Sequence, residues 1–306
     1  MPRATALVLA AALAATPATA DFRDSALPDA APVADPPLTL LLGDQYRWPH
    51  LVLPLRFAAD VIAIPASVAR WDQRDFGLFL AYAAAVGALM TPTSNGVSAD
   101  AQFQRWARSG QTPGHYLVWT RLGDALVWGG IWTVPAAALA YGWLTDDAAL
   151  LESVSLMLEA FSMAQVWQVG IKLALGREGP RDGEGLGEFH GPPGFFRLFP
   201  AGTPSGHSAA LYAMIGAASA YWDQPMLDVA MHLFGLAFCV TLVTDDYHFV
   251  SDVLWGAAMG YYTGRWVVRN RSTHYRFDAG ALVPATVVPV VAPNSGSYGL
   301  ALGWAF

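Results

Sequence analysis

The chain has 306 residues, of which 54% are apolar and only 13% are charged, and its net charge is −7. Globular proteins usually have about a quarter of their residues charged, so a large share of this chain must be buried in protein or in lipid. The acidic balance argues against a nucleic-acid partner, because a phosphate backbone requires a basic face. The single cysteine, Cys239, excludes an internal disulfide and a cysteine-based metal site, and its apolar surroundings predict a small buried side chain.

The first 20 residues are typical of a secretory signal peptide. A positive charge precedes the apolar run Ala4–Ala15, and Ala18–Ala20 provides the small residues of a cleavage site. An uncleaved anchor is the alternative, but the apolar run is short for a membrane span. Residues 21–50 are predicted to be a flexible leader, since their first part is rich in Pro, Ala and Asp and has no periodicity.

Residues 51–276 are predicted to form an all-α bundle with about six core helices, embedded in a membrane. The apolar segments that predict it are Leu51–Ala69, Phe76–Met90, Ala125–Leu144, Ala148–Ile171, Ser208–Trp222, Val229–Val243 and Phe249–Val268. Ala125–Leu144 is the strongest candidate for a transmembrane helix, with about 20 residues and no charge. Ser98–Arg108 has the helical spacing of an amphipathic helix that lies across the bundle. A soluble or peripheral helical bundle is the competing interpretation.

Two further segments of this region have features that bear on function. The helix over Ala148–Ile171 contains polar residues that are expected to face a protein interior rather than lipid: Glu152, Glu159, Gln165 and Gln168. Gly176–Pro204 is a long Gly/Pro-rich connection with several aromatic residues, which favours a lid or a substrate rim over an ordinary loop.

Residues 277–306 change character and predict an appended β-hairpin. Ala281–Ala292 is rich in β-branched residues, Pro293–Ser297 is a turn, and Tyr298–Phe306 alternates small and large residues. An aromatic residue at the end of an alternating strand also resembles the last strand of outer-membrane barrels. Two strands cannot close a barrel, so the hairpin is preferred.

Three separated segments contain residues suited to phosphate chemistry. Lys172 is the only lysine, and a lysine ammonium is a common phosphate ligand. Pro204–His207 stands at the start of a predicted helix, where the first backbone amides can bind an anion. His248 and Asp252 are four residues apart, so the carboxylate can orient the imidazole on one helix face. A helix cap at Asp252 is the simpler alternative.

These segments resemble the motifs of the superfamily of type 2 phosphatidic acid phosphatases (PAP2) and vanadium haloperoxidases. The family pattern is a lysine followed by Arg-Pro, then Pro-Ser-Gly-His, then Ser-Arg followed by a histidine and an aspartate. The resemblance extends over about Leu144–Arg269, and the second motif is intact. Two family arginines are absent, because Gly179 and Leu242 stand at their positions.

The resemblance implies a role for each motif residue. His248 would attack phosphorus, Asp252 would orient it, and His207 would protonate the leaving group and later activate water. Lys172, Ser205 and Gly206 would hold the phosphoryl oxygens, and Arg177 or Arg181 would take the place of a missing arginine. No metal and no cofactor are expected. The remaining histidines show no metal-ligand spacing: His50, His115, His190, His232 and His274.

The resulting expectation is a metal-independent phosphatase that hydrolyses a lipid phosphate or another phosphomonoester. It is expected to be exported to a bacterial inner membrane with its site facing the periplasm, or to be periplasmic or associated with the outer membrane. The alternative is a catalytically weakened or inactive relative that binds a phosphate-bearing ligand or a partner. A haloperoxidase-like activity ranks last, because the absent arginines disfavour vanadate as much as phosphate.

Overall fold

The computed structural model describes residues 53–109, 129–182, 184–222, 224–272, 286–292 and 297–303. The predicted signal peptide and leader lie outside these residues. The described part contains nine α-helices and two strands. The helices are α1 (Leu53–Ala66), α2 (Gln73–Met90), α3 (Ala99–Ser109), α4 (Gly130–Thr145), α5 (Ala148–Leu175), α6 (Gly191–Leu198), α7 (Gly206–Trp222), α8 (Pro225–Thr244) and α9 (Val250–Arg271), and a short 3-10 helix over Ser67–Arg70 follows α1.

The centre of the fold is the pair α7 and α9, against which α5 packs. Nearly all of α7 between Ser208 and Ala220 is buried. Glycines at every fourth position of α9 (Gly256, Gly260 and Gly264) lie against the backbone of α7. Small residues at such spacing let two helix backbones approach closely, a device common in membrane bundles. The close approach brings the starts of α7 and α9 to the same end of the bundle.

Gly260→Ala is expected to destabilise the fold, because the added Cβ would lie 2.2 Å from the Ala209 carbonyl oxygen. Overpacking of a tight core typically costs about 1–3 kcal/mol. The thermal midpoint, followed by tryptophan fluorescence, should fall by several degrees. Gly170→Ala is the matched control, since nothing lies within 4 Å of its added Cβ and alanine favours a helix. Equal midpoints for the two variants would show that α7 and α9 are not closely packed.

The polar residues of α5 face the protein interior, as predicted. Glu152, Glu159 and Gln168 are buried, and the Tyr221 hydroxyl donates to Glu152 at 3.0 Å. The apolar helix α1 contains a charged residue, Asp60, which is fully buried. Asp60 accepts hydrogen bonds from Arg271 at the end of α9. These contacts join both outer helices to the central pair.

Two described helices are long and apolar enough to cross a membrane, namely α5 with 28 residues and α8 with 20. The helix expected to be the strongest candidate, α4, has only 16 residues, or about 24 Å, although residues 125–128 of the predicted segment lie outside the described part. Several helices present large apolar side chains outward: Phe76, Leu78, Phe79 and Leu80 on α2; Trp132, Val134, Tyr141 and Trp143 on α4; Met226, Leu233 and Phe234 on α8.

The long Gly/Pro-rich connection contains a helix that was not predicted from the sequence. It contains α6, which begins with Pro192 and Pro193 in its first turn, where the missing amide hydrogens cost nothing. At the C-terminus, strand β1 (Thr286–Ala292) pairs antiparallel with strand β2 (Ser297–Gly303), Ala292 opposite Ser297. Strand β1 lies within the predicted segment Ala281–Ala292, whereas β2 begins at Ser297, one residue earlier than predicted. Residues 293–296 are outside the described part.

Candidate active site

The three motif segments meet at one end of the central helices. The rings of His207 and His248 are 5.7 Å apart, centroid to centroid, in an edge-to-face arrangement. The charge of Lys172 is close enough to lower the pKa of both histidines. Residues that are more than 70 positions apart in the chain, such as Lys172 and His248, therefore form one cluster.

Lys172 reaches the cluster from the last turn of α5. The helix ends at Leu175, and Gly176 has a φ of +52°, with the position of a Cβ only 1.8 Å from the Gly191 carbonyl oxygen. Only glycine fits there, which makes the chain turn sharply just after the lysine. The Lys172 side chain is buried, at 4% exposure, and its ammonium donates to the Pro200 carbonyl.

The second segment is anchored on both sides. The Ser205 amide donates to the Asp252 carbonyl at 2.8 Å, and the Ser205 hydroxyl accepts from the Ser208 amide at 3.4 Å, as a helix N-cap does. On the other side, the Gln165 amide group donates to the Gly206 carbonyl at 3.1 Å, and a Cβ at Gly206 would lie 3.2 Å from Gln168. These contacts on both sides fix the start of α7, where the first backbone amides of the helix lie close to the side chain of His207.

His248 and Asp252 lie on one face at the start of α9. Nδ1 of His248 is 3.7 Å from Oδ2 of Asp252, which is longer than a hydrogen bond, and this buried nitrogen has no other partner. The same Oδ2 accepts from the Phe249 amide at 3.0 Å, so the carboxylate also caps the helix. Capping and imidazole orientation therefore coexist. A move of less than 1 Å would bring the pair within hydrogen-bond distance.

Burial and neighbouring charges keep both histidines neutral. Burial lowers the pKa of His207 to about 3, and His248 and Lys172 act in the same direction. Burial also lowers the pKa of His248, an effect that Asp252 opposes. Burial alone would raise the pKa of Asp252, but Arg177 and His248 outweigh it and lower this pKa to about 2. The site thus holds a neutral imidazole next to an ionised carboxylate, the state in which an imidazole is a nucleophile.

Arg177, one of the two arginines expected to bind phosphate, is paired with two carboxylates. Its side chain is 0% exposed, and the guanidinium donates to Asp252 at 2.5 Å and to Asp100 at 2.9 Å. It also donates to the Ser251 hydroxyl at 2.8 Å and to the Gly187 carbonyl at 3.2 Å. These partners hold the guanidinium beside Asp252, and the phosphate-binding role of Arg177 stays a prediction.

Arg181 lies nearer to the rim. Its guanidinium donates to the Asp245 carbonyl and lies over the ring of Tyr247, 4.6 Å from the centroid. Tyr247 in turn lies 6.0 Å from the ring of His207. Arg181 is therefore separated from His207 by one aromatic ring along this line of contacts, and its phosphate-binding role stays a prediction.

At the two sequence positions where the family has arginine, this chain has no charged side chain. Leu242 is 2% exposed and belongs to the apolar cluster between α7, α8 and α9. A Cβ at Gly179 would already lie 3.0 Å from both Ala201 and Asp182. The acidic Asp246, two residues before His248 in sequence, is paired with Arg108 at 2.9 Å, so its charge is balanced.

Residues of α3 take part in the site although the sequence pattern did not indicate them. Asp100, Gln104 and Arg108 are spaced by four and share one helix face. They contact Ser251, the Val243 carbonyl (2.8 Å) and Asp246, respectively. Only their spacing of four residues in the sequence could have indicated that they act together. An acidic residue at the start of an amphipathic helix is common on a solvent-exposed helix end and does not by itself indicate a site.

One group of described side chains has donor atoms close enough for a metal ion. The ligand atoms of Glu178, Glu188 and His190 lie within 4.8 Å of one another. Glu178 and His190 already form a hydrogen bond of 3.0 Å, which accounts for their approach without an ion. The group belongs to the connection between α5 and α6 and involves neither His207 nor His248.

A helical fold that gathers a histidine pair, a lysine and a carboxylate at the starts of two central helices fits a phosphatase-type family. Residues 153–276 match the model of the PAP2 superfamily, and this match supports membership of that superfamily. The matched segment includes all three motif segments and excludes α3. A search of curated proteins and a search of solved structures found no match.

Proposed function

We propose that the protein hydrolyses a phosphomonoester, with a lipid phosphate as substrate, through a phosphohistidine at His248. The observation that carries the proposal is the convergence of Lys172, His207 and His248 at the start of α7. A phosphoryl group placed there would contact an ammonium and the amides of a helix N-terminus. Opposite it would lie a neutral imidazole whose second nitrogen faces a carboxylate.

In the first step, Nε2 of His248 attacks phosphorus and the bond between phosphorus and the alcohol oxygen breaks. Asp252 holds Nδ1 of His248 and stabilises the positive charge that develops on the ring. His207 gives its proton to the leaving oxygen. A bound phosphoryl group brings negative charge beside His207, which raises the pKa of that residue from about 3 in the empty site and allows it to hold this proton.

In the second step, water attacks the phosphohistidine. His207, now neutral, takes a proton from the water, the bond between phosphorus and Nε2 breaks, and inorganic phosphate leaves. Lys172 and the α7 amides supply the positive charge that the phosphoryl oxygens need in both steps, so the proposed reaction requires no metal ion.

The proposed lipid substrate is supported by the outer surface of the helices. Only 28% of the most apolar 18-residue stretch of α8 is buried within the protein, so most of the apolar surface of this helix faces outward. Its 20 residues span about 30 Å, the thickness of the hydrocarbon core of a bilayer. With α5 and α8 in a membrane, a phosphate on a lipid could reach the site from the bilayer surface. The proposed export and a periplasm-facing site rest on the N-terminal sequence.

A second candidate function has its own supporting observation. Arg177 is committed to Asp100 and Asp252, and Leu242 is buried among apolar side chains, so neither provides a guanidinium to the transition state. Each such clamp is worth several kcal/mol in phosphoryl transfer, on the order of a hundredfold or more in rate. A relative that binds a phosphate-bearing ligand without turnover would have this arrangement.

Phosphate release by the purified full chain in detergent separates the two candidates. Phosphatidic acid and an aryl phosphate are the substrates, each with and without a metal chelator, and acid-labile phosphoprotein is quantified after rapid quenching. We expect release from phosphatidic acid, insensitivity to the chelator, and a labelled protein band. Saturable binding of phosphatidic acid with no release from either substrate would establish the non-catalytic candidate. Release that requires added metal would contradict the proposed mechanism.

A further inference from the structure

The buried network around Arg177 begins on α3, outside the segment that matches the superfamily. Asp100 is 1% exposed, although it is in the first turn of an amphipathic helix. Oδ1 of Asp100 accepts from the Ser251 amide at 3.1 Å, and Oδ2 accepts from Arg177 at 2.9 Å and from the Ser251 hydroxyl. Both oxygens act as acceptors, as the carboxylate form does. Burial raises the pKa of Asp100, and the charge of Arg177 and the hydrogen bond from Ser251 oppose that rise.

Arg177 occupies a fixed position between this carboxylate and that of Asp252. The ring centroids of Phe189 and Phe249 lie 5.4 Å and 4.8 Å from the guanidinium carbon, so the cation is enclosed by aromatic faces as well. A cation buried this completely is stable only when its hydrogen-bond donors and its charge are matched. Asp100 supplies the second negative charge.

The network assigns different partners to the two oxygens of Asp252. Oδ1 accepts from Arg177 at 2.5 Å, whereas Oδ2 accepts from the Phe249 amide and is the oxygen nearer to His248. An arginine fork that is free to turn takes both oxygens of one carboxylate. Because NH2 of Arg177 is bound to Asp100, the fork cannot do so here, and Oδ2 stays directed at the imidazole.

We propose that Asp100 is a positioning residue for the Asp252–His248 pair and acts through Arg177 and Ser251. The effect of Asp100 on catalysis rests on the proposed phosphoryl transfer, whereas its effect on the position of the Asp252–His248 pair does not. Without the Asp100 carboxylate, Arg177 is left with one anionic partner and closes onto both oxygens of Asp252. Oδ2 of Asp252, the carboxylate oxygen nearest to Nδ1 of His248, then turns away from the imidazole, and Nε2 carries the proton in part of the molecules.

The test is Asp100→Asn, compared with Asp60→Asn as the matched control. Asp60 is also a fully buried helical aspartate paired with an arginine, Arg271, but it joins α1 to the far end of α9. We expect Asp100→Asn to lower kcat about tenfold to a hundredfold with KM changed less than about threefold, in line with the loss of an outer carboxylate partner. Asp60→Asn should leave both constants near wild type, although both variants lower the thermal midpoint.

A measurement without substrate keeps the test valid if the wild type releases no phosphate. In protein labelled with ¹⁵N-histidine, the His248 signals are assigned by their loss in His248→Gln and are titrated with pH. We expect one tautomer, with the proton on Nδ1, in the wild type and in Asp60→Asn, and a mixture in Asp100→Asn. Ser251→Ala, a smaller change, should give a partial shift in the same direction even if Asp100→Asn fails to fold.

Two outcomes would overturn the inference. One is a His248 tautomer and titration in the Asp100→Asn and Ser251→Ala variants identical to those of the wild type. The other is an equal loss of kcat in Asp60→Asn and Asp100→Asn, because the effect would then be a general result of breaking a buried ion pair. Absence of phosphate release by the wild type, together with the expected tautomer shift, would reject the proposed function and retain the positioning network.

Discussion

Replacing His248 by alanine is expected to reduce phosphate release by roughly 10⁴-fold or more, the order of loss found when the nucleophile of a hydrolase is removed. The physical reason is that the neutral His248 imidazole lies beside the ionised Asp252 carboxylate, which can orient it. His207 is neutral too, because burial, His248 and Lys172 all lower its pKa. Release is measured as inorganic phosphate under steady-state conditions, and the acid-labile phosphoprotein should disappear at the same time.

His232→Ala provides the matched control for this loss. Its ring is packed between Tyr212 and Tyr261, and Nδ1 lies 2.9 Å from the Asp228 carbonyl oxygen on the same helix, α8. Removal of this ring costs packing and leaves the motif segments untouched, so turnover per folded molecule should stay near wild type. Retention of more than about a tenth of the wild-type rate by His248→Ala would mean that phosphoryl transfer in this protein proceeds without that imidazole.

Replacing Lys172 by methionine is expected to lower kcat/KM about 10²- to 10³-fold, the cost of removing one preorganised donor from a transition state. Methionine keeps the length and the apolar stem of the side chain and removes the charge. The loss should be large because Gly179 and Leu242 bring no guanidinium and Arg177 is enclosed within its ion pairs. The ammonium is therefore the principal side-chain cation beside the two histidines among the described residues.

Lys172→Arg separates charge from shape in the same assay. The ammonium is buried and donates to the Pro200 carbonyl, a space that suits a point charge better than a planar fork. We expect partial recovery at most, with a rate between those of the wild type and Lys172→Met. A Lys172→Met protein with unchanged kcat/KM would show that the phosphoryl oxygens are bound elsewhere, with Arg181 at the rim as the next residue to replace.

Most of the helices could be predicted from the sequence, because apolar periodicity and Gly/Pro punctuation act over short distances. The observed bounds of α2, α3, α7, α8 and α9 lie within a few residues of those predicted. The helix α6 was not predicted, since its eight residues contain two prolines and two glycines and have no long apolar run. The spanning potential of α4 stays a prediction, because residues 125–128 of the predicted segment lie outside the described part.

The residues of the candidate site also fall into two groups, those that could be predicted from the sequence and those that could not. Lys172, His207 and His248 could be singled out from residue type and order alone, since each stands next to a predicted helix end. Asp100 could not, because its partners Arg177 and Ser251 are more than 70 positions away and nothing local marks it as buried. The direction of Arg177 was unpredictable for a related reason: a long flexible side chain in a loop can reach several anions, and only packing selects one.

The sequence by itself determined that this chain is largely helical and which residues have the chemistry for phosphoryl transfer, because both properties are local. Only the tertiary structure decided how the charges are shared. The close contact of α7 with α9 through Gly256, Gly260 and Gly264 sets His207 beside His248. The carboxylates of Asp100 on α3 and Asp252 on α9 both pair with Arg177. Electrostatic pairing in a buried space depends on which side chains meet there, and that is a property of the folded molecule.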